Sequence, residues 1–409
     1  MLERMEKQNR IFSGFDADAI DRTTAADLAE VGSDKWTRYP GCIGAFIAEM
    51  DYGLAPCIQQ AIDSACDHCK LGYIPEPWKR RVAEACAGWQ KSHYGWDVDP
   101  DIIRVVPDVL EAYEIFLREL VGAGNAVVVP TPAYMPFLSV PKLYDVDVIE
   151  IEMLQGTDET TGEREWLFDF DAIEQAFANG CHAFVLCNPH NPIGKVLTRE
   201  EMLRLSDLAA KYDVRIFSDE IHAPFVYQGH THVPFASINR QTAMQAFTST
   251  SASKSFNIPG TKCAQVILTN PDDLELWMRN AEWSEHQTAT IGAIATTAAY
   301  DGGAAWFEGV MAYIERNIAL VNEQMRTRFA KVRYVEPQGT YIAWLDFSPL
   351  GIGDPANYFF KKANVALTDG RECGEVGRGC VRMNFAMPYP LLEECFDRMA
   401  AALEADGLL

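Results

Sequence analysis

The sequence has no apolar run approaching the ~20 residues that a bilayer-spanning helix requires, and its opening, MLERMEKQNRIFSGF, lacks both an apolar core and a small-residue cleavage site. Neither a membrane span nor a secretory leader is expected. Positive charge is scarce: 35 basic against 58 acidic residues leave a net charge of -23. Such a field repels phosphate backbones and anionic lipid, which argues against nucleic acid and membrane as partners. The 11 cysteines follow no framework spacing, so a reducing, cytoplasmic setting is expected. Internal repeats and low-complexity linkers are also missing.

What remains is an ordinary globular composition, 48% apolar and 23% charged over 409 residues, long enough for two substantial units. Up to about Lys35 the chain reads as a polar arm with one short amphipathic helix. Apolar runs then recur at 126–130, 147–152, 182–187, 214–218, 244–249 and 263–268. Most are continuous, as in strands buried on both faces. Helical patterns such as VLEAYEIFLREL and TREEMLRLSDLAAKY lie between them, the second opened by Thr198 with acidic residues in its first turn. This alternation predicts an α/β domain with a mainly parallel sheet. After about 290 come a long helical stretch to near Ala330, strands at TYIAWLDF and GCVRMNF, and a closing helix from Pro390, the order of a smaller α+β domain. The expected division is an arm at 1–48, a large domain at 49–290 and a small domain at 291–409.

In open α/β sheets ligands sit at the carboxyl ends of the strands, so the turns after the apolar runs are where chemistry is sought. Lys254 follows one such run among Ser251 and Ser253, with Lys262 eight residues on, after a Pro-Gly turn. Two cations and serine hydroxyls can hold a phosphate dianion, and an amine beside another cation is one whose pKa falls, as imine formation requires. Asp219 in SDEIH can keep a pyridine nitrogen protonated, or can simply cap a helix. His222 and, in CNPHNPIG, Asn191 can reach a phenolic oxygen of the same ring, and Tyr134 can stack on it; a buried histidine, an Asn-Pro turn and a core aromatic are the plainer readings. The VVPDVLEAYE segment enters a helix whose first amides, at Val109 and Leu110, form an anion site. Arg382, a lone cation in a strand pattern, demands a partner that a substrate carboxylate or a structural salt bridge would supply.

The ordered set NPHNPIG, SDEIH, SASKSFNIPGTK and VRMNFAMP resembles fold-type I pyridoxal-phosphate enzymes of the class I/II aminotransferase superfamily. The strings KWTRYP, CNPHNPIGKV, DEIHAPFVYQGHTHVPFASI, SKSFNIPGTKCAQ and GTYIAWLDF are similar to its cystathionine β-lyase, or MalY/PatB-type C-S lyase, branch, over nearly all the chain from about residue 35. The resemblance implies a type I PLP-dependent transferase fold with a mainly parallel seven-stranded sheet. It implies pyridoxal 5'-phosphate as cofactor, with Lys254 as Schiff-base lysine, Asp219 as pyridinium partner, Asn191 and His222 at the phenolic oxygen and Tyr134 as stacking and catalytic ring. Ser251, Ser253, Lys262 and the amides of Val109 and Leu110 fall to the phosphate, and Arg382, with Asn191, to the substrate carboxylate. Tyr73 in LGYIPEP matches a tyrosine lent to the neighbouring subunit's phosphate and substrate, which implies a homodimer with shared active sites. The implied reaction is β-elimination at a C-S bond of a small sulfur amino acid, L-cystathionine to homocysteine, pyruvate and ammonia. The same residues serve an aminotransferase, and the scaffold also suits a regulatory binding protein.

Asp108 stands where relatives often carry glycine, and its carboxylate is expected to cap the helix rather than face the phosphate. FIAEMDY and the MPY after NFA depart from the branch at the substrate pocket. Two motifs suggest metal but are read as structural: Cys66-Asp67-His68-Cys69, with no second CxxC to complete a zinc site, as a helix turn, and His230-Thr231-His232 as a solvated loop.

Overall fold

The computed structural model describes residues 14–157, 162 and 164–409. Seven strands form its main sheet: β1 (Ile103–Val106), β2 (Ala126–Thr131), β3 (Asp147–Glu152), β4 (Ala183–Cys187), β5 (Arg215–Asp219), β6 (Ala246–Thr250) and β7 (Ala264–Ile267), in the order β1-β7-β6-β5-β4-β2-β3. The five consecutive strands β6, β5, β4, β2 and edge strand β3 are mutually parallel, and β7 alone runs antiparallel to its neighbours β6 and β1. Every residue of β4 and β6 is buried, the consequence of helices on both faces.

The helices that matter for the site are α1 (Pro56–Asp67), α2 (Glu76–Tyr94), α3 (Val109–Phe116), α4 (Arg199–Tyr212), α5 (Thr290–Gly302), α6 (Ala304–Thr327) and α7 (Tyr389–Ala405). α4 begins where the sequence predicts: Thr198 accepts from the Glu201 amide while the Glu201 carboxylate accepts from the Thr198 amide, satisfying two donors that a helix start leaves open. The long helical stretch after 290 is two helices, broken at Gly303. A Cβ there would lie 2.2 Å from the Phe256 ring, so this residue lets the helix junction rest on the turn that carries Lys254.

A second sheet is antiparallel throughout, with strands β8 (Arg333–Tyr334), β9 (Ile342–Asp346), β10 (Thr368–Asp369) and β11 (Cys380–Asn384) in the order β8-β9-β11-β10. Ile43–Gly44 pairs in parallel with Val365–Ala366, tying the early chain to this part of the molecule. One apolar cluster unites arm residues Phe15 and Trp36 with α6, α7 and the second sheet. Two large clusters lie on the two sides of the main sheet, and two smaller ones pack α2 against β1 and β7.

The sequence reading differs from the structure at three further places. β1 is absent from the predicted runs because Arg104 interrupts it; its pairing with β7 makes it a strand. The arm holds three short helices among the described residues, not one, since Thr24 starts a new capping box and Gly32 ends the helix in the left-handed region. The loop at 230–232 is solvated as expected at His230 and Thr231, but His232 is not: its ring is buried against Glu220, at 3.3 Å. No helix among the described residues is long and apolar enough to cross a membrane.

Candidate active site

The carboxyl ends of β5 and β6, the start of α3 and the edge of the second sheet enclose a cavity of about 430 Å³. Its floor is built around Lys254. After β6 the extended Ser251 caps a single helical turn, Ala252–Ser255; its hydroxyl accepts from the Ser253 amide at 3.0 Å and donates to the Cys263 carbonyl at 2.9 Å. The turn aims Lys254 into the cavity, where Nζ donates to the Ala48 carbonyl at 3.0 Å. That oxygen also accepts from the Tyr341 hydroxyl, at 3.1 Å. Burial, seconded by the Arg382 charge, pulls the Lys254 pKa down to about 8 against the opposing pull of Glu49 and Asp219.

Asp219 is the last residue of β5 and accepts from the Ile221 amide at 3.0 Å. Burial, and then the neighbouring Glu220 charge, push its pKa up to about 7, even though the Ile221 bond and Lys254 favour the ionised form. Such a carboxyl lacks a close cation. His222 is held neutral, its pKa pulled down to about 3 by burial and by the charges of Lys254 and Arg382, and its buried Nδ1 has no hydrogen-bond partner. Arg382 on β11 is 4% exposed. It donates to the Phe46 carbonyl at 2.7 Å and, at 3.4 Å, to Asn191, and no carboxylate among the described residues pairs with it. A buried guanidinium in that state is a receptor for an anion. Tyr134 lines the same wall, edge-on to Phe137 at 5.5 Å, and burial raises its phenol pKa.

At the other end Asp108 caps α3, accepting from the Glu111 amide at 2.9 Å. The first amides of the helix, Val109 and Leu110, have no acceptor within it and line the cavity. The expectation for Asp108 holds for one oxygen only. The other pairs with Lys262 Nζ at 2.7 Å, so the cation assigned to phosphate already has a carboxylate beside it.

One cavity thus gathers Lys254, Asp219, His222, Asn191, Tyr134, Val109, Leu110, Ser251, Ser253, Lys262 and Arg382. Tyr73 is apart from them, 92% exposed beside a separate hollow. Sequence reasoning missed Arg38, Phe46, Ala48, Thr368 and Glu372 in the lining, and Tyr341 behind it. The segment 46–49 carried a faint signal, its departure from the branch. The Phe46 carbonyl accepts from Arg382 and Thr368, and the Ile47 and Glu49 carbonyls accept from Asn384, so second-sheet side chains fix this wall. Of the CDHC motif, Cys66 and Cys69 are exposed and free, and α1 stops at Asp67.

This geometry coincides with a match of residues 49–399 to the aminotransferase class I and II family model, and the chain belongs to that family. Within it, the chain is 33% identical to cystathionine beta-lyase of Corynebacterium glutamicum over 371 residues, 90% of this chain and 96% of that protein. It is 31% identical to cystathionine beta-lyase PatB of Bacillus subtilis, over 88% of this chain and 92% of the relative. Among solved structures it is similar to cystalysin from Treponema denticola, which contains pyridoxal 5'-phosphate, with a TM-score of 0.86, 27% identity and coverage of 94% of this chain and 98% of that one.

Proposed function

We propose that the chain is a pyridoxal-phosphate-dependent C-S lyase that eliminates a thiol from a sulfur amino acid, L-cystathionine first among them. The carrying observation is the convergence of three unmet demands in one cavity: a buried carboxyl without a cation at Asp219, a buried imidazole nitrogen without a partner at His222, and a buried guanidinium without a carboxylate at Arg382. A cationic ring nitrogen, a ring hydroxyl and an amino-acid carboxylate answer them in turn, so the residues present fit this cofactor and this class of substrate.

Asp219, His222 and Asn191 would hold the ring, Tyr134 would stack on it, and Ser251, Ser253, Lys262 and the amides of Val109 and Leu110 would hold the phosphate. When bound, the cofactor supplies a carbonyl carbon for amines and a protonated ring that draws electron density from the substrate's Cα. Lys254 is the group for both the attachment and the proton transfer. With a pKa of about 8, a usable fraction is neutral near pH 7, so the amine can accept the Cα proton and return it to the departing sulfur as the Cβ–S bond breaks. Arg382 fixes the carboxylate bidentately and thereby orients Cα toward Lys254. Hydrolysis of the remaining fragment gives pyruvate and ammonia.

Exposed Tyr73, with Leu71 and Trp283 also exposed, supports a homodimer in which Tyr73 completes the partner's phosphate and substrate site. The division into an arm at 1–48, a large domain at 49–290 and a small domain at 291–409 belongs to the same proposal, with the cavity between the two sheets. So does a cytoplasmic setting, supported by 11 free cysteines.

The decisive experiment incubates the purified holoenzyme with L-cystathionine and no keto acid. Release of homocysteine and pyruvate together is expected; turnover that depends strictly on an added keto acid would replace this reading with an aminotransferase.

A further inference from the structure

The cavity has more charge than one amino-acid head can use. Arg382 suffices for a single carboxylate and the cofactor's carbonyl carbon for a single amine, yet two further charged side chains line the same space near its mouth, Arg38 and Glu372. Arg38 closes the short helix Asp34–Thr37, and its guanidinium lies over the Phe46 ring, 5.2 Å from the centroid. Phe46 therefore joins two cationic positions, presenting its ring to Arg38 and its carbonyl to Arg382 at 2.7 Å. Arg38 also pairs with Asp34, but both side chains are about half exposed, and such a pair is weak enough to yield to a competing anion.

Glu372 sits in the turn Gly370–Cys373, which is pinned to the segment after β2 where the Cys373 carbonyl accepts from the Ala133 amide at 2.8 Å. Its own carboxylate is exposed and makes no ion pair with a described residue. A substrate with a plain alkyl group on sulfur offers nothing to either residue. A thioether bearing a second amino-acid head offers a cation and an anion together.

We propose that Glu372 and Arg38 at the cavity mouth receive the distal amino-acid head of a dipolar thioether substrate, Glu372 its ammonium and Arg38 its carboxylate. The proposal rests on the C-S lyase reading and makes these two residues selectors among its substrates.

The test is the ratio of kcat/KM for L-cystathionine to that for S-methyl-L-cysteine, in the holoenzyme and in Glu372→Gln, Arg38→Gln and Glu372→Lys. Each neutral variant is expected to lower the ratio about three- to fivefold, the size of one exposed opposite-charge contact. The loss should be carried by KM for cystathionine, and Glu372→Lys should lower the ratio further. Raising the salt concentration should lower the parent enzyme's ratio, since the contacts are screened. A ratio that stays constant across all three variants, or falls through kcat alone, overturns the proposal while leaving the lyase reading intact. Absence of pyruvate from both substrates in the parent enzyme sinks the lyase reading itself, and the selector role with it.

Discussion

On the floor of the cavity Asp219, His222 and Lys254 are surrounded by protein, and burial is the largest cause of each displaced pKa. At its phosphate end Lys262 and Asp108 form an ion pair whose side chains are 55% and 38% exposed. The contrast separates two uses of charge. Buried groups are costly and therefore waiting for a partner, whereas exposed ones are already neutralised by each other and by water. Substitutions on the floor should thus act on chemistry, and those at the phosphate end on retention of an anion.

The largest effect is expected from Lys254→Ala, which removes the amine proposed for both attachment and proton transfer. Turnover should fall by at least about a thousandfold, within the range of a lost general base. Borohydride reduction followed by peptide mapping should find the cofactor's mass on residue 254 in the parent protein alone; its appearance elsewhere would break the assignment. Next comes Arg382→Leu, which forfeits a charge-assisted pair worth about 1.5–3 kcal/mol. That should reduce kcat/KM by roughly ten- to a hundredfold, measured with any α-amino acid substrate.

The floor also predicts a pH dependence of stability in cofactor-free protein. Asp219 has a folded-state pKa of about 7 against an ordinary 3.8, so between those values the folded chain binds a proton that the unfolded chain does not. Stability from this group is present below pH 3.8 and is lost as pH rises toward 7. Lys254, lowered from 10.5 to about 8, has the other sign on the pH axis: the unfolded chain holds the extra proton between those values, and stability rises with pH there. Thermal melts should therefore show Asp219→Asn gaining on the parent by a few degrees from pH 4 to 7. A constant difference across that window would show that Asp219 keeps its charge on folding.

The smallest effect belongs to the phosphate end. Asp108→Asn preserves the helix cap and removes only an exposed ion pair, so stability should change by less than about 1 kcal/mol. Freed of that carboxylate, Lys262 should hold phosphate more tightly, seen as slower loss of cofactor absorbance on dialysis. Faster loss would show instead that Asp108 positions Lys262 for the anion.

The main sheet was legible because its central strands are buried on both faces and so are written as continuous apolar runs. β1 was not, because its apolar run is broken by Arg104 and its strand character comes from β7. The groups on the strand-end turns were legible for a similar reason: Asp219 and Lys254 each follow a run that ends where the sheet opens. Tyr341 and Ala48 were not, since a backbone carbonyl shared by two donors from residues 254 and 341 leaves no mark in either local string.

By itself the sequence determined which chemical groups end which strands, through the periodicity of burial and the turn residues that follow it. Only the tertiary structure decided that Arg382 from the second sheet and Phe46 from the early chain would meet Lys254, and that Asp108 would share itself between a helix start and Lys262. Local patterning encodes what each residue does along its own element. Long-range packing sets the burial and neighbours that fix a charge's cost, and with them whether it is already answered or still available to bind.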